Sequence, residues 1–242
     1  MTGADRLRAA VTGLIGLAAT AEQELLAEPE QPITGSAQHW TALPVIAHNT
    51  EFRRQQVQRL RAVRTGQAPP EFAEVDHASA TLYAELAAQP ADAVARDSWR
   101  VAGELAEEMR LISHADLTEP ARNPWLRGRQ LWLQIVVRGF WHPTGHLSDY
   151  YLGHGRPDRA VALAAHGVMT AAYLSAPAPA RGMASYNLAC AQARAGLLDE
   201  AAAALTEAVS LNPDVRANAR RDSDLAAVRD TGQLAALLDG AR

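Results

Sequence analysis

The chain has 242 residues, a formal charge of −4 spread along its length, one cysteine and no lysine. No basic stripe offers a footprint for nucleic acid, and one cysteine builds neither an intrachain disulfide nor a cysteine metal site. Without lysine, Schiff-base chemistry and the phosphate-gripping lysine of a P-loop are also excluded. Alanine, leucine and arginine dominate while aromatic residues are sparse, which predicts an all-α fold. The length suits one main domain with an appendage, and the lone cysteine makes a reducing, cytoplasmic location the expectation.

In chain order, the apolar stretch Ala9 to Thr20 behind Arg6 and Arg8 has the look of a signal-peptide core. Leu7, Val11, Leu14 and Ala18 recur at helical spacing, however, and Glu22 and Glu24 follow at once, so the reading is a bundle helix over residues 3–28. Pro29 and the turn formers Thr34, Gly35 and Ser36 end it. Helix two is predicted over residues 41–64, with Thr41 as N-cap and Pro44 in the first turn, where a missing amide costs little. Residues 67–77, with Pro69 and Pro70, are long enough for a crossover. Helix three is expected over residues 79–113, interrupted at Gln89–Pro90 and stopped by the segment from Asp116 to Pro120. Helix four is expected from Asn123 as cap and Pro124 at the first helical position to about Leu152. It carries Trp125, Trp132, Phe140, Trp141, Tyr150 and Tyr151. No run reaches the roughly 18 apolar residues of a membrane span.

From Gly155 the texture changes to alanine-rich helices, giving expected domains of residues 1–154 and 155–242. An internal repeat sets Gly155, Asp158 and Ala160 in register with Gly196, Asp199 and Ala201. Residues 182–213 are similar to a tetratricopeptide repeat, with Leu188, Ala189, Gly196, Ala201, Leu205, Ala208 and Pro213 at the small or apolar positions. The run from Asn218 to Leu225 resembles the closing element of such arrays. One and a half repeats cannot bury an apolar face alone, so docking on the bundle, a second subunit or a protein partner is expected. Cys190 reads as a small core residue of this segment.

Of eight histidines, His142 and His146 are four apart on helix four, so both imidazoles can face one metal ion. His48 lies on the same side of helix two as Val45 and Phe52, where a polar ring needs a partner: a carbonyl, or a shared metal. His39, His77, His114, His154 and His166 have no spacing that joins them to the set and read as solvent or capping residues.

The run Trp40, Thr41, Ala42, Leu43, Pro44, Val45, Ile46, Ala47, His48 resembles the W-T-x6-H signature of the DinB-like superfamily, which includes the N-terminal domain of thiol-dependent maleylpyruvate isomerases. The later H-x-x-x-H resembles that superfamily's paired ligands. Over residues 1–153 the resemblance implies a four-helix bundle holding a divalent ion through His48, His142 and His146, with zinc first and nickel or iron as alternatives. It implies a metal-dependent thiol transferase, isomerase or hydrolase acting on a small electrophilic substrate, in some members with a low-molecular-weight thiol. The sequence departs from a plain helix at Pro143, which with Gly139 and Gly145 predicts a kink.

Three neutral imidazoles leave a coordination position for water or a thiolate. Glu51 and Asp149, one turn after His48 and His146, are candidates for base, extra ligand or ligand support, against the alternative of ordinary helix carboxylates. Arg138, one turn ahead of His142, is a candidate for gripping a substrate carboxylate, against a surface salt bridge. Two other readings stay open. One is a non-catalytic scaffold that recruits a partner, or a second copy as a homodimer, through the tetratricopeptide-like tail. The other is a self-resistance protein that sequesters or hydrolyses a reactive natural product.

Overall fold

Helix α1 (Gly3–Ala27) opens on a reciprocal cap: the Asp5 amide donates to the Thr2 hydroxyl and the Thr2 amide to the Asp5 carboxylate. Its 3.6-residue stripe of Leu7, Val11, Leu14, Ile15, Ala18 and Leu25 is buried. The computed structural model describes residues 2–28, 32, 35–36, 39–72 and 80–232, and all regular structure among them is helical. The chain divides into two compact units, Met1–Tyr150 and Tyr151–Arg242.

In the first unit, α2 (Ala42–Arg64) starts after Thr41, whose extended backbone supplies a first-turn carbonyl to Val45 while its hydroxyl makes no cap bond. The expected third helix is two helices, α3 (Ala80–Ala87) and α4 (Ala91–Leu111), because Pro90 adopts an extended ψ of 131° and begins α4 afresh. Ser79, Pro29 and Thr34 lie outside the described residues. Helix α4 packs against both α1 and α2.

The interruption expected at Gln89–Pro90 is thus present, and two departures elsewhere follow from local chemistry. Ser113 caps a short α5 (His114–Thr118) by accepting from the Asp116 amide, so the expected stop opens with another helix. The fourth bundle helix begins at Leu131 rather than Pro124. Pro124–Leu126 is a single 3-10 turn, ended by Arg127 at φ 53° and Gly128 at φ 85°, and the Asn123 side chain donates from Nδ2 to the Asp116 carbonyl instead of capping.

Helix α6 (Leu131–Val136) runs into a π-helical turn at Val137–Trp141 and then into α7 (His142–Gly153). The wide turn is the answer to Pro143, which has no amide to offer. One extra residue is absorbed ahead of it, and the Thr144 hydroxyl donates to the Phe140 carbonyl at 2.8 Å. The turn packs on α1, and a Cβ built at Gly139 would stand 2.7 Å from Ile15 Cγ1.

A polar cluster sits inside this bundle. Glu22 of α1 is completely buried and is gripped by both terminal nitrogens of the equally buried Arg53, at 2.7 and 2.9 Å. It also accepts from Ser98 Oγ of α4 at 2.6 Å and from Asn49 Nδ2 of α2 at 3.0 Å. One carboxylate thus ties three helices together through charge-assisted bonds.

In the second unit, α9 (Ala178–Arg194) packs between α8 (Pro157–Tyr173) and α10 (Leu198–Leu211). Gly155 and Gly196, in register in the repeat, occupy the same left-handed conformation at φ 70° and 82° just before α8 and α10. The turn from Asp222 through α12 (Ala226–Asp230) closes onto α9: Tyr186 donates to Asp222 Oδ2 at 2.7 Å, and Asp222 accepts from the Asp224 amide. Burial, with the neighbouring negative charges, holds the Tyr186 phenol protonated well above its ordinary range. Cys190 is half-buried, 3.8 Å from Asp222.

Helices α9 and α10 approach closely because residue 182 has no side chain. A Cβ there would stand 2.6 Å from Asn212 Cβ and 2.9 Å from both the Ala208 carbonyl and the Asn212 amide, groups that cannot swing aside. Gly182→Ala gains about 1 kcal/mol of helix propensity but incurs overpacking of about 1–3 kcal/mol. The expected result is a net loss of stability in the second unit's transition under urea; unchanged or higher stability would contradict the close approach.

Candidate metal centre

The sequence places His48 in the second turn of α2 and His142 and His146 one turn apart on α7, and the bundle brings the three rings together. Their ligand nitrogens all lie within 4.8 Å of one another, and the group could hold a metal ion. His48 Nε2 and His142 Nε2 are 3.2 Å apart although the residues are 94 positions apart in sequence. Two nitrogens each about 2.0–2.1 Å from a tetrahedral zinc stand about 3.4 Å apart, so the spacing suits a shared ion with little adjustment. The donor set is nitrogen only, of the borderline type that zinc, nickel and iron accept.

The π turn decides that α7 presents both rings. His142 and His146 have centroids 4.4 Å apart with planes at 88°, and His146 meets His48 edge-on at 4.9 Å. The kink expected at Pro143 is therefore taken up upstream, and the i, i+4 pair stays on one face. Pro143 also binds the two ligand helices to each other, since its carbonyl accepts from Asn49 Nδ2 at 3.5 Å.

Aromatic rings wall the group. Trp40 meets His48 edge-on at 5.6 Å, and Phe52 lies 4.6 Å from His48 and stacks on His142 at 4.4 Å with planes at 23°. His48 is 3% exposed, whereas His142 and His146 are half-buried, so access is from the α7 side. The Arg138 guanidinium lies over the Phe52 ring, 4.5 Å from its centroid. Burial, and then the charge of Arg59, lower the Arg138 pKa.

The two carboxylates suggested by one-turn spacing are not in this group. Glu51 is half-exposed, pairs with Arg54, which also binds Asp97 of α4, and lines a separate hollow with Ala47, Leu86, Gln89 and Val94. Asp149 is exposed on α7. A residue three positions on is rotated about 60° away on a helix, enough to leave a buried seam. His39, His114 and His166 are exposed and outside the group, and half-buried His154 is outside it too; His77 lies outside the described residues.

The Glu22 cluster beneath the site is the feature that sequence reading missed. Its signal was present: Glu22 falls on the Leu7, Val11, Leu14, Ala18, Leu25 stripe, and Asn49, Arg53, Gln56 and Leu60 form one stripe on α2. A second group of possible ligands, Cys190, Asp222 and Asp224, sits in the tail, where Asp222 already serves Tyr186 and the closing turn. No helix among the described residues is long and apolar enough to cross a membrane. Comparison with protein-family models, curated proteins and solved structures finds no match to this chain.

Proposed function

We propose that the protein is a metal-dependent enzyme of DinB-like type, in which His48, His142 and His146 hold a divalent ion, zinc first, and the substrate is a small electrophile. The observation that carries this reading is the convergence of three imidazoles from two helices on one point, with no carboxylate in the set among the described residues. When bound, such an ion supplies a thiolate or hydroxide nucleophile at neutral pH, which serves a thiol transferase, an isomerase or a hydrolase alike. The chain's own part is to keep His48 dry behind Trp40 and Phe52 while leaving the α7 side open to a substrate.

Elemental analysis by mass spectrometry tests the reading on the untagged wild type beside a His48→Ala, His142→Ala double variant. Metal at about one per chain in the wild type, and its loss in the folded variant, is the expected result, because three-ligand sites do not survive removal of two ligands. No metal in the wild type after reconstitution with zinc and with nickel would sink the enzyme proposal.

A further inference from the structure

Asn49 stands where the buried carboxylate and the histidine group meet. It is fully buried, directly follows His48 in α2, and turns its side-chain amide toward two other helices. Nδ2 carries two hydrogens and has two acceptors: Glu22 Oε1 of α1 at 3.0 Å and the Pro143 carbonyl of α7 at 3.5 Å. Pro143 directly follows His142 and lies three positions before His146. The surroundings fix which way the amide points, since the reverse orientation would set Oδ1 against a carboxylate and a carbonyl. Glu22 is itself held, by the Arg53 guanidinium on both oxygens and by Ser98 of α4 on Oε2.

Three ring nitrogens serve one ion only when they are held within about 0.5 Å of the required geometry. Apolar packing alone tolerates small slips between helices, whereas buried hydrogen bonds specify one arrangement. The stability of the fold does not call for this cluster, because apolar side chains of similar volume replace buried ionic groups at little or no loss. Asn49 Oδ1 is moreover buried without a hydrogen-bond partner among the described residues, which costs free energy. What the cluster supplies is direction, between the two helices that carry the histidines. We infer that Asn49, anchored on Glu22, is a positioning residue: it sets the His142 and His146 pair of α7 against His48 of α2, so that the three-histidine group is formed before any ion arrives. The inference rests on the metal-centre reading for its consequence, a tighter hold on the ion; the setting of the rings needs no ion.

The test uses the full chain carrying Asn49→Leu, which keeps the bulk of the side chain and removes both donated hydrogen bonds. Its control is Met109→Ala, a cavity in the core beside α4 that destabilises the same unit without touching the cluster. After chelation, the imidazole nuclear magnetic resonance signals of His48, His142 and His146 should move in Asn49→Leu and stay in place in Met109→Ala, with urea transitions certifying that both variants are folded. In chelated wild type the two Asn49 Nδ2 protons should exchange slowly with solvent, a readout that needs no variant to fold. With metal, Asn49→Leu should hold zinc about tenfold or more weakly in competition with a chromophoric chelator and should change the ligand-field spectrum of bound cobalt, while Met109→Ala changes neither. Imidazole signals indifferent to Asn49→Leu, rapid exchange of the Asn49 amide protons, or equal losses of zinc affinity in the two variants would each overturn the positioning role. The ring signals and the exchange are read without metal, so a wild type that binds no ion would end the metal-centre reading while these two measurements still decide the positioning.

Discussion

Replacing Arg53 by alanine is expected to lower the stability of the first unit by about 3–5 kcal/mol, the cost of leaving a buried charge without its partner. Glu22 has no exposed surface, and Arg53 supplies two of its four hydrogen bonds, at 2.7 and 2.9 Å. Water cannot replace the guanidinium without opening the packing between α1 and α2. Removing both partners is a different matter. A Glu22→Leu, Arg53→Met pair of similar volume should recover most of the loss, because the desolvation cost of both charges disappears together with their attraction. Urea unfolding of the single and double variants measures this. An Arg53→Ala variant within about 1 kcal/mol of wild type would mean that the network contributes little.

The second large effect is linkage between metal and folding. An ion that binds the folded bundle and not the unfolded chain stabilises it by about 2.7 kcal/mol at a free concentration one hundred times its dissociation constant. Added zinc should therefore raise the urea midpoint of the wild type, and a chelator should reverse the rise. Only the transition of the first unit should move, since all three ligands lie within Met1–Tyr150. In the His48→Ala, His142→Ala variant neither transition should respond. A zinc effect that persists in that variant, or that falls on the second unit, would place the ion elsewhere, with Cys190, Asp222 and Asp224 the group to examine next.

Much of this architecture is legible in the sequence because helical periodicity and capping are local. The stripe from Leu7 to Leu25 determines the buried face of α1, Pro90 determines that α4 starts anew, and the Gly155 and Gly196 register marks the repeat in the tail. The four-residue spacing of His142 and His146 likewise puts two imidazoles on one helical face wherever that helix ends up. Local rules also explain the failures. Pro124 looks like the first position of a long helix, but Arg127 and Gly128 turn left-handed and delay the helix to Leu131. Pro143 signals a distortion without saying on which side of the histidines it will be absorbed. The packing of Gly139 on Ile15 accompanies the wide turn upstream.

Glu51, Arg138 and Glu22 show what spacing cannot decide. Glu51 stands one turn from His48, yet Arg54 and, beyond it, Asp97 of α4 claim that surface. Arg138 stands one turn before His142, and the ring of Phe52, from another helix, contacts both. Glu22 and Arg53 are each visible as a charge on an apolar stripe, but their pairing depends on how α1 and α2 are set against each other. The sequence by itself determined the helices, their buried faces and the pair of histidines on α7, because each follows from a rotation of about 100° per residue along one axis. Only the tertiary structure decided that His48 meets that pair and that Glu22 meets Arg53. Those distances depend on the register between helices far apart in the chain, which side-chain packing sets and no single helix encodes.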